Sequence, residues 1–190
     1  MNWEDLKIYK LIEKAELNNA KKSIENIIAG KLAPFGFKKL GRKLIRKSND
    51  LIHIIYLDSR GSWSGSSSSI NTEFAIASVY DTDIFIKNFE PISGSYIQDL
   101  KPGLRNFYQI TQEFDLFADY LSRKIIEVML PYFDQYPSSR QVLEKNVQLG
   151  ETKNLKEFCV LSNAKDLNEE IENDLKTRKS AVLKKLKIIE

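Results

Sequence analysis

Leu51-Ile52-His53-Ile54-Ile55-Tyr56-Leu57-Asp58 is the stretch whose reading decides the fold. It is rich in Ile, follows the turn cluster Ser48-Asn49-Asp50, and precedes a Ser/Gly tract, so it reads as a β-strand. Ile52, Ile54 and Tyr56 fall on one face, and Leu51, His53, Ile55 and Leu57 on the other. Successive strand side chains point to opposite faces, so a strand apolar on both is covered on both. Downstream, Ile70, Thr72, Phe74, Ile76, Ser78 and Tyr80 alternate with Asn71, Glu73, Ala75, Ala77, Val79 and Asp81. Upstream, Phe37–Leu40, a turn at Gly41 and Arg42–Lys47 spell a short hairpin. Consecutive strands joined by short turns predict an antiparallel meander and argue against a βαβ series.

Helical patterns flank this core. Ala20, Ile24, Ile27, Ile28 and Leu32 recur at spacings of three and four, with Pro34 and Gly36 closing the run. An earlier helix is expected to hold Trp3, Leu6, Tyr9 and Ile12, with Asn18 and Asn19 capping the next one. Residues 82–104, with Pro91, Gly94, Pro102 and Gly103, read as an irregular connection holding a short strand at Ile84–Ile86, and Leu104–Ile110 as a last strand. A long helix then carries Phe114, Phe117, Ala118, Leu121, Ile125, Val128, Met129 and Tyr132 on one stripe, ended or kinked by Pro131. Helices are expected near Ser139–Leu149 and Leu155–Leu161. The last spans about Leu167 to Ile189, with an apolar stripe of Leu167, Ile171, Leu175, Val182, Leu186 and Ile189 and a capping-box variant at Asp166/Glu169. The expected class is α+β: an antiparallel β-meander of about four to five strands packed against helices, with an all-helical C-terminal extension. The expected division is an α+β domain over 1–137 and a helical extension over 138–190.

Composition excludes several chemistries. The 190 residues are 42 % hydrophobic and 29 % charged, an ordinary globular balance. Cys159 and His53 are the only residues of their kinds, so the chain has neither an internal disulfide nor the four Cys/His ligands of a structural zinc site. The N-terminus lacks the pattern of a signal peptide, and no stretch reaches the roughly 20 apolar residues of a membrane span. A cytoplasmic location is expected. The net charge of +3 is unevenly spread: +6 over residues 1–60, −5 over 61–137 and +2 over 138–190.

Phe35-Gly36-Phe37-Lys38-Lys39-Leu40-Gly41-Arg42 begins a recognisable series: a basic strand reaching Arg46, an apolar strand ending in Ser59, a turn bearing Trp63 and a strand containing Phe74. Over roughly residues 18–135 the chain resembles the bacterial domain of unknown function 4304 family, at Gly36, Phe37, Lys38, Lys39, Gly41, Arg46, Ser59, Trp63 and Phe74. Leu57 stands where the family usually has Gln, and Glu73 where it often has Asn. The resemblance implies a small α+β domain with a curved antiparallel sheet and brings over no catalytic residue. Small bacterial domains of this kind often resemble immunity proteins encoded beside toxins.

Two stretches carry the candidate binding residues. Lys38, Lys39, Arg42, Lys43, Arg46 and Lys47 place six cations in ten residues. They read as an anion-binding strand pair, for phosphates or an acidic protein face, though a sheet edge protected by lysines accounts for them better. The tract Ser59–Ser69 sets Trp63 beside Arg60 in a setting of Ser and Gly, where Trp63 serves as a partner anchor or folds back over its own sheet. Asp81, Asp83 and Glu90 would be the carboxylates of an enzyme, but their spacing fits turn chemistry better. His53 reads as a buried, hydrogen-bonded core residue, and Cys159 as packing. The functional expectation is a non-enzymatic protein-binding domain without metal or cofactor. Its concrete form is an immunity protein that neutralises a cognate toxin by direct binding. The alternative is a nucleic-acid-associated module using the basic 38–47 strand pair.

Overall fold

A computed structural model describes Trp3, Leu6 and residues 10–58, 69–81, 94–105, 107–142 and 169–188. Its strands are β1 (Lys38–Leu40), β2 (Lys43–Ser48), β3 (Leu51–Asp58), β4 (Ser69–Ser78), β5 (Gly94–Tyr96) and β6 (Phe107–Gln109). They form one sheet in the order β1-β2-β3-β4-β5, with β6 pairing on β4 off that path. The fold is α+β, and the meander is the one the strand periodicity predicts. In the first hairpin Lys39 stands opposite Leu44, and Gly41 turns the chain with a φ of 61°, a left-handed conformation that favours glycine. β6 runs antiparallel to the start of β4, with Tyr108 opposite Ile70. Every residue of β3 from Leu51 to Leu57 is buried, as its two apolar faces require.

The helices are α1 (Leu17–Leu32), the short α2 (Ile97–Leu100), α3 (Phe114–Lys124), α4 (Leu130–Asp134) and α5 (Glu169–Lys185). No described helix is long and apolar enough to cross a membrane. Two compact units share the chain: residues 1–45, 55–74 and 95–132, and residues 46–54, 75–94 and 133–190.

In the first unit α1 packs against α3 and buries Leu17, Ala20, Ile24, Ile28 and Leu32. Of the earlier helix expected to hold Trp3, Leu6, Tyr9 and Ile12, Trp3 lies in a 3-10 turn, Leu6 is not helical, and Tyr9 lies outside the described residues. Lys10, Ile12 and Glu13 are not helical, and Leu11 makes an isolated bridge to Thr111. Trp3 is nonetheless buried, its ring 5.0 Å from Tyr120, 5.5 Å from Phe117 and 5.6 Å from Tyr108. Asn18 and Asn19 do not cap α1, which begins one residue earlier after Glu16 with no side-chain cap. Of the connection over 82–104, the described residues 94–104 contain β5 and α2, while the expected short strand at Ile84–Ile86 lies outside the described residues; the last strand is confined to Phe107–Gln109.

Pro131 does not end the long helix. Proline lacks an N–H and its ring crowds the carbonyl four residues back, so a regular α-helix fails there. The chain instead widens into a π-helical turn over Ile125–Met129, in which Leu130 N–H donates to Ile125 O, and then resumes as α4. The wider turn shifts the inward positions by one. Phe133 is fully buried, whereas Tyr132, the residue an uninterrupted stripe selects, is half-buried and meets Phe74 edge-on at 5.2 Å.

In the second unit the β2–β3 turn holds the residues that follow α4. Asn49 takes a φ of 54°. Asp50 Oδ1 accepts from Ser139 N–H at 3.0 Å, and Ser139 Oγ donates to Asp50 O at 2.6 Å. Ser139 Oγ also lies 3.0 Å from Ser78 Oγ. Its one proton goes to the carbonyl, so Ser78 donates. Residues 139–142 are helical, and the remainder of the expected helices before 169 lies outside the described residues, as do Cys159 and Asp166. α5 buries Val182 and Leu183, with Leu186 just beyond it, while Ile171 and Leu175 are half-buried.

Candidate functional site

Turning the apolar stripe of α1 inward leaves a polar flank beside it. Asn18, Lys21, Lys22, Glu25 and Asn26 recur at the three- and four-residue spacing that stacks helix side chains on one side. Across from this flank lies the β1–β2 hairpin with Lys39, Gly41 and Arg42. Together they line an open cleft of about 700 Å³. Among the described residues four cations and one carboxylate face it, a local excess of positive charge.

Glu25 is the centre of the arrangement. Its side chain is 12 % exposed, and its Oε2 lies 3.1 Å from Lys39 Nζ. Lys39 Nζ also donates to Asn26 Oδ1 at 2.7 Å. Glu25 Oε1 lies 3.9 Å from Arg42 Nε, close enough for Coulomb attraction and too far for a hydrogen bond. The Arg42 guanidinium, with its side chain 46 % exposed, therefore keeps its donors open to the cleft. Lys22 is exposed and has no polar partner among the described residues. Lys21 is buried. Burial lowers its pKa and the Arg42 charge lowers it further, against the opposing pull of Asp58 and Glu25.

Asp58 links this cleft to the second sequence candidate. It is the last residue of β3, directly before Ser59, and the backbone of its neighbour Leu57 donates from N–H to Arg42 O at 3.2 Å. The stem of the 59–69 tract thus stands at the hairpin that walls the cleft. Arg60 and Trp63 themselves lie outside the described residues.

The basic run does not form one surface. Lys39 and Arg42 line the cleft, whereas Lys38, Lys43 and Arg46 do not. Strand alternation and the turn at Gly41 divide them. Lys38 is exposed opposite Ile45, Lys43 is half-buried, and Arg46 enters a separate cluster in the second unit. There Arg46 Nε donates to His53 Nδ1 at 3.1 Å, and its Nη2 lies 3.3 Å from Asp134 Oδ1. The His53 ring stacks on Phe133 at 4.5 Å with an interplanar angle of 3°, and Arg46 lies 5.9 Å from the same ring. An accepting Nδ1 makes His53 the neutral tautomer with its proton on Nε2. That Nε2 is buried and has no hydrogen-bond partner, so the expected satisfied histidine is satisfied on one side only. Burial, and then the Arg46 charge, push its pKa down to about 3. A base that weak does not take a proton near neutral pH, so the cluster is built for packing.

Asp81 is buried, while Asp83 and Glu90 lie outside the described residues. Among the described residues no group of three His, Cys, Asp or Glu is placed to hold a metal ion. Sequence reasoning missed Lys21, Lys22 and Glu25. Their signal was present as a polar stripe next to the apolar one on α1, but nothing in the sequence said which hairpin would face it. Comparison with protein-family models, characterised proteins and solved structures returns no match.

Proposed function

We propose that this chain is a non-enzymatic binding domain whose partner is a protein presenting an acidic surface to the cleft between α1 and the β1–β2 hairpin. The concrete form is a bacterial immunity protein that neutralises a cognate toxin by direct binding in the cytoplasm, in keeping with the resemblance to the domain of unknown function 4304 family. The observation that supports the reading is the unbalanced charge of the cleft: among the described residues that line it, Lys21, Lys22, Lys39 and Arg42 face one carboxylate, Glu25, with Asp58 acting on Lys21 from beside it. The Arg42 charge acts against the Lys21 ammonium, with Asp58 and Glu25 opposing it, and perturbed groups that line a cleft are candidates for function. The lining favours a protein over nucleic acid. Among the described residues no aromatic side chain lines the cleft for a base to stack on. Lys38, Lys43, Arg46 and Lys47 do not line the cleft, so among the described residues the run offers it two cations and not an extended track for successive phosphates.

The test compares a fluorescent acidic peptide, hexaglutamate, with a short DNA duplex at low and moderate salt. The peptide should bind, and the double substitution Lys39→Glu/Arg42→Glu should weaken it at least about tenfold, the scale of two charge reversals in one site. Tighter binding of the duplex, with the steep salt dependence of several released counterions, would replace this reading with the nucleic-acid one. For the toxin form, the product of an adjacent open reading frame should co-purify with the wild-type chain and be lost from the double variant.

A further inference from the structure

We infer that Glu25 holds, in the free protein, the place that a partner carboxylate takes in the complex, so that docking is an exchange of one carboxylate for another at Arg42. The inference rests on the proposed acidic partner and adds the residue that sets its affinity. Among the described residues Glu25 is the only carboxylate lining the cleft, and it is shared between two cations. Lys39 takes most of it: one short ion pair, supported by the Asn26 amide. Arg42 receives the other oxygen only at 3.9 Å. A guanidinium prefers two parallel hydrogen bonds to one carboxylate, and Glu25 supplies none. An incoming Asp or Glu can supply both from the open side. Its charge also offsets that of Arg42 at Lys21, on which Asp58 and Glu25 already act as counter-charges.

Two carboxylates converging on one arginine repel each other, so Glu25 competes with the ligand it resembles. Glu25→Gln removes the competing charge while keeping an acceptor for Lys39 and the shape of the side chain. A general gain in positive charge must be separated from exchange at this site. Asp119 supplies the control, since it pairs with Lys31 at 3.2 Å on the surface of the same unit, outside the cleft lining.

The experiment titrates wild type, Glu25→Gln, Asp119→Asn and Arg42→Gln with hexaglutamate by fluorescence anisotropy at low salt, after circular dichroism has matched their folds. Glu25→Gln should tighten binding about fivefold to tenfold and Asp119→Asn less than about twofold, as a half-buried charge outweighs an exposed one. Arg42→Gln should weaken binding at least about fivefold. Glu25→Gln binding no tighter than wild type, or no tighter than Asp119→Asn, overturns the exchange while leaving the acidic-partner reading in place. Unchanged binding in Arg42→Gln, or no binding by any of the four proteins, overturns that reading and the exchange with it. Should Glu25→Gln fold poorly, Glu25→Ala, which also removes the charge, is held to the same outcomes.

Discussion

Arg42 and Arg46 stand four residues apart in one basic run, and the fold treats them in opposite ways. Arg42 sits at the hairpin turn, half exposed, with a carboxylate near it but not hydrogen-bonded. Arg46 sits in β2 with its side chain 16 % exposed, donating to His53, paired with Asp134 and lying near the face of Phe133. One guanidinium is left with donors to offer, and the other has spent them on its own fold. The difference follows from position and not from residue type. A turn residue projects past the sheet, while a strand residue must find partners among its neighbours. Cations in a sequence therefore count toward binding only after the strand register has shown which of them the fold consumes.

The largest effect should come from breaking the consumed side of the comparison. Phe133 is fully buried and carries the stacked His53 ring. Phe133→Ala should destabilise by about 3–5 kcal/mol, the range for a buried aromatic truncation, in equilibrium urea unfolding. A loss below about 1 kcal/mol would place the ring at a surface and dissolve the contrast.

Acid should act on the same cluster. The folded pKa of His53 is about 3, below the 6.5 or so of an unfolded chain, so unfolded molecules take the proton first. The contribution of His53 is complete above about pH 6.5 and is lost as the pH falls toward the folded value, at about 1.4 kcal/mol per pH unit. Between about pH 6.5 and pH 5 the loss should reach about 2 kcal/mol in urea unfolding. His53→Gln, which cannot titrate yet can accept from Arg46, should flatten that slope. An unchanged slope would move the acid sensitivity to other groups.

The two arginines can then be compared directly. Arg46→Gln leaves the buried His53 Nδ1 short of its donor and should cost about 1–3 kcal/mol, the penalty for an unsatisfied buried polar atom. Arg42→Gln should change stability by less than about 0.5 kcal/mol, as exposed positions do, because it removes no hydrogen bond. Equal losses from the two substitutions would mean that Arg42 is as structural as Arg46.

How much of this could be read in advance depends on whether the signal was local. β3 was legible to the residue, because a run of Ile, His, Tyr and Leu between turn clusters leaves no other period to fit. The hairpin at Gly41 was legible for the same reason. The π turn was not. Pro131 signalled trouble in the helix, but whether a helix breaks, kinks or widens depends on what its far side is packed against, and Phe133 lies on that far side. The segment before α1 shows the converse, in that Trp3 packs into an aromatic cluster while Ile12 and Glu13 are not helical. The cleft was half legible. Lys39 and Arg42 were singled out as cations, but the helix residues that face them are at least 13 positions away in sequence, and only tertiary packing brings such distant groups together.

The smallest expected effect bears most directly on what the cleft is for. Lys21 is buried, and the net influence of its surroundings lowers its pKa, so the folded state holds its charge against resistance. Lys21→Met keeps the aliphatic stem that packs on α1 and deletes the charge. If the ammonium served the fold, its removal would destabilise. If it is held for an anionic partner, removal should leave stability unchanged or raise it by up to about 1 kcal/mol, the usual gain when a functional site is relaxed. Binding of hexaglutamate should fall at least about threefold in the same variant, since the ligand loses a poorly solvated counter-charge. Thermal and urea unfolding measured beside anisotropy on one preparation separate the two accounts. A variant that is both less stable and unaltered in binding would place Lys21 with Arg46, among the cations the fold has already used.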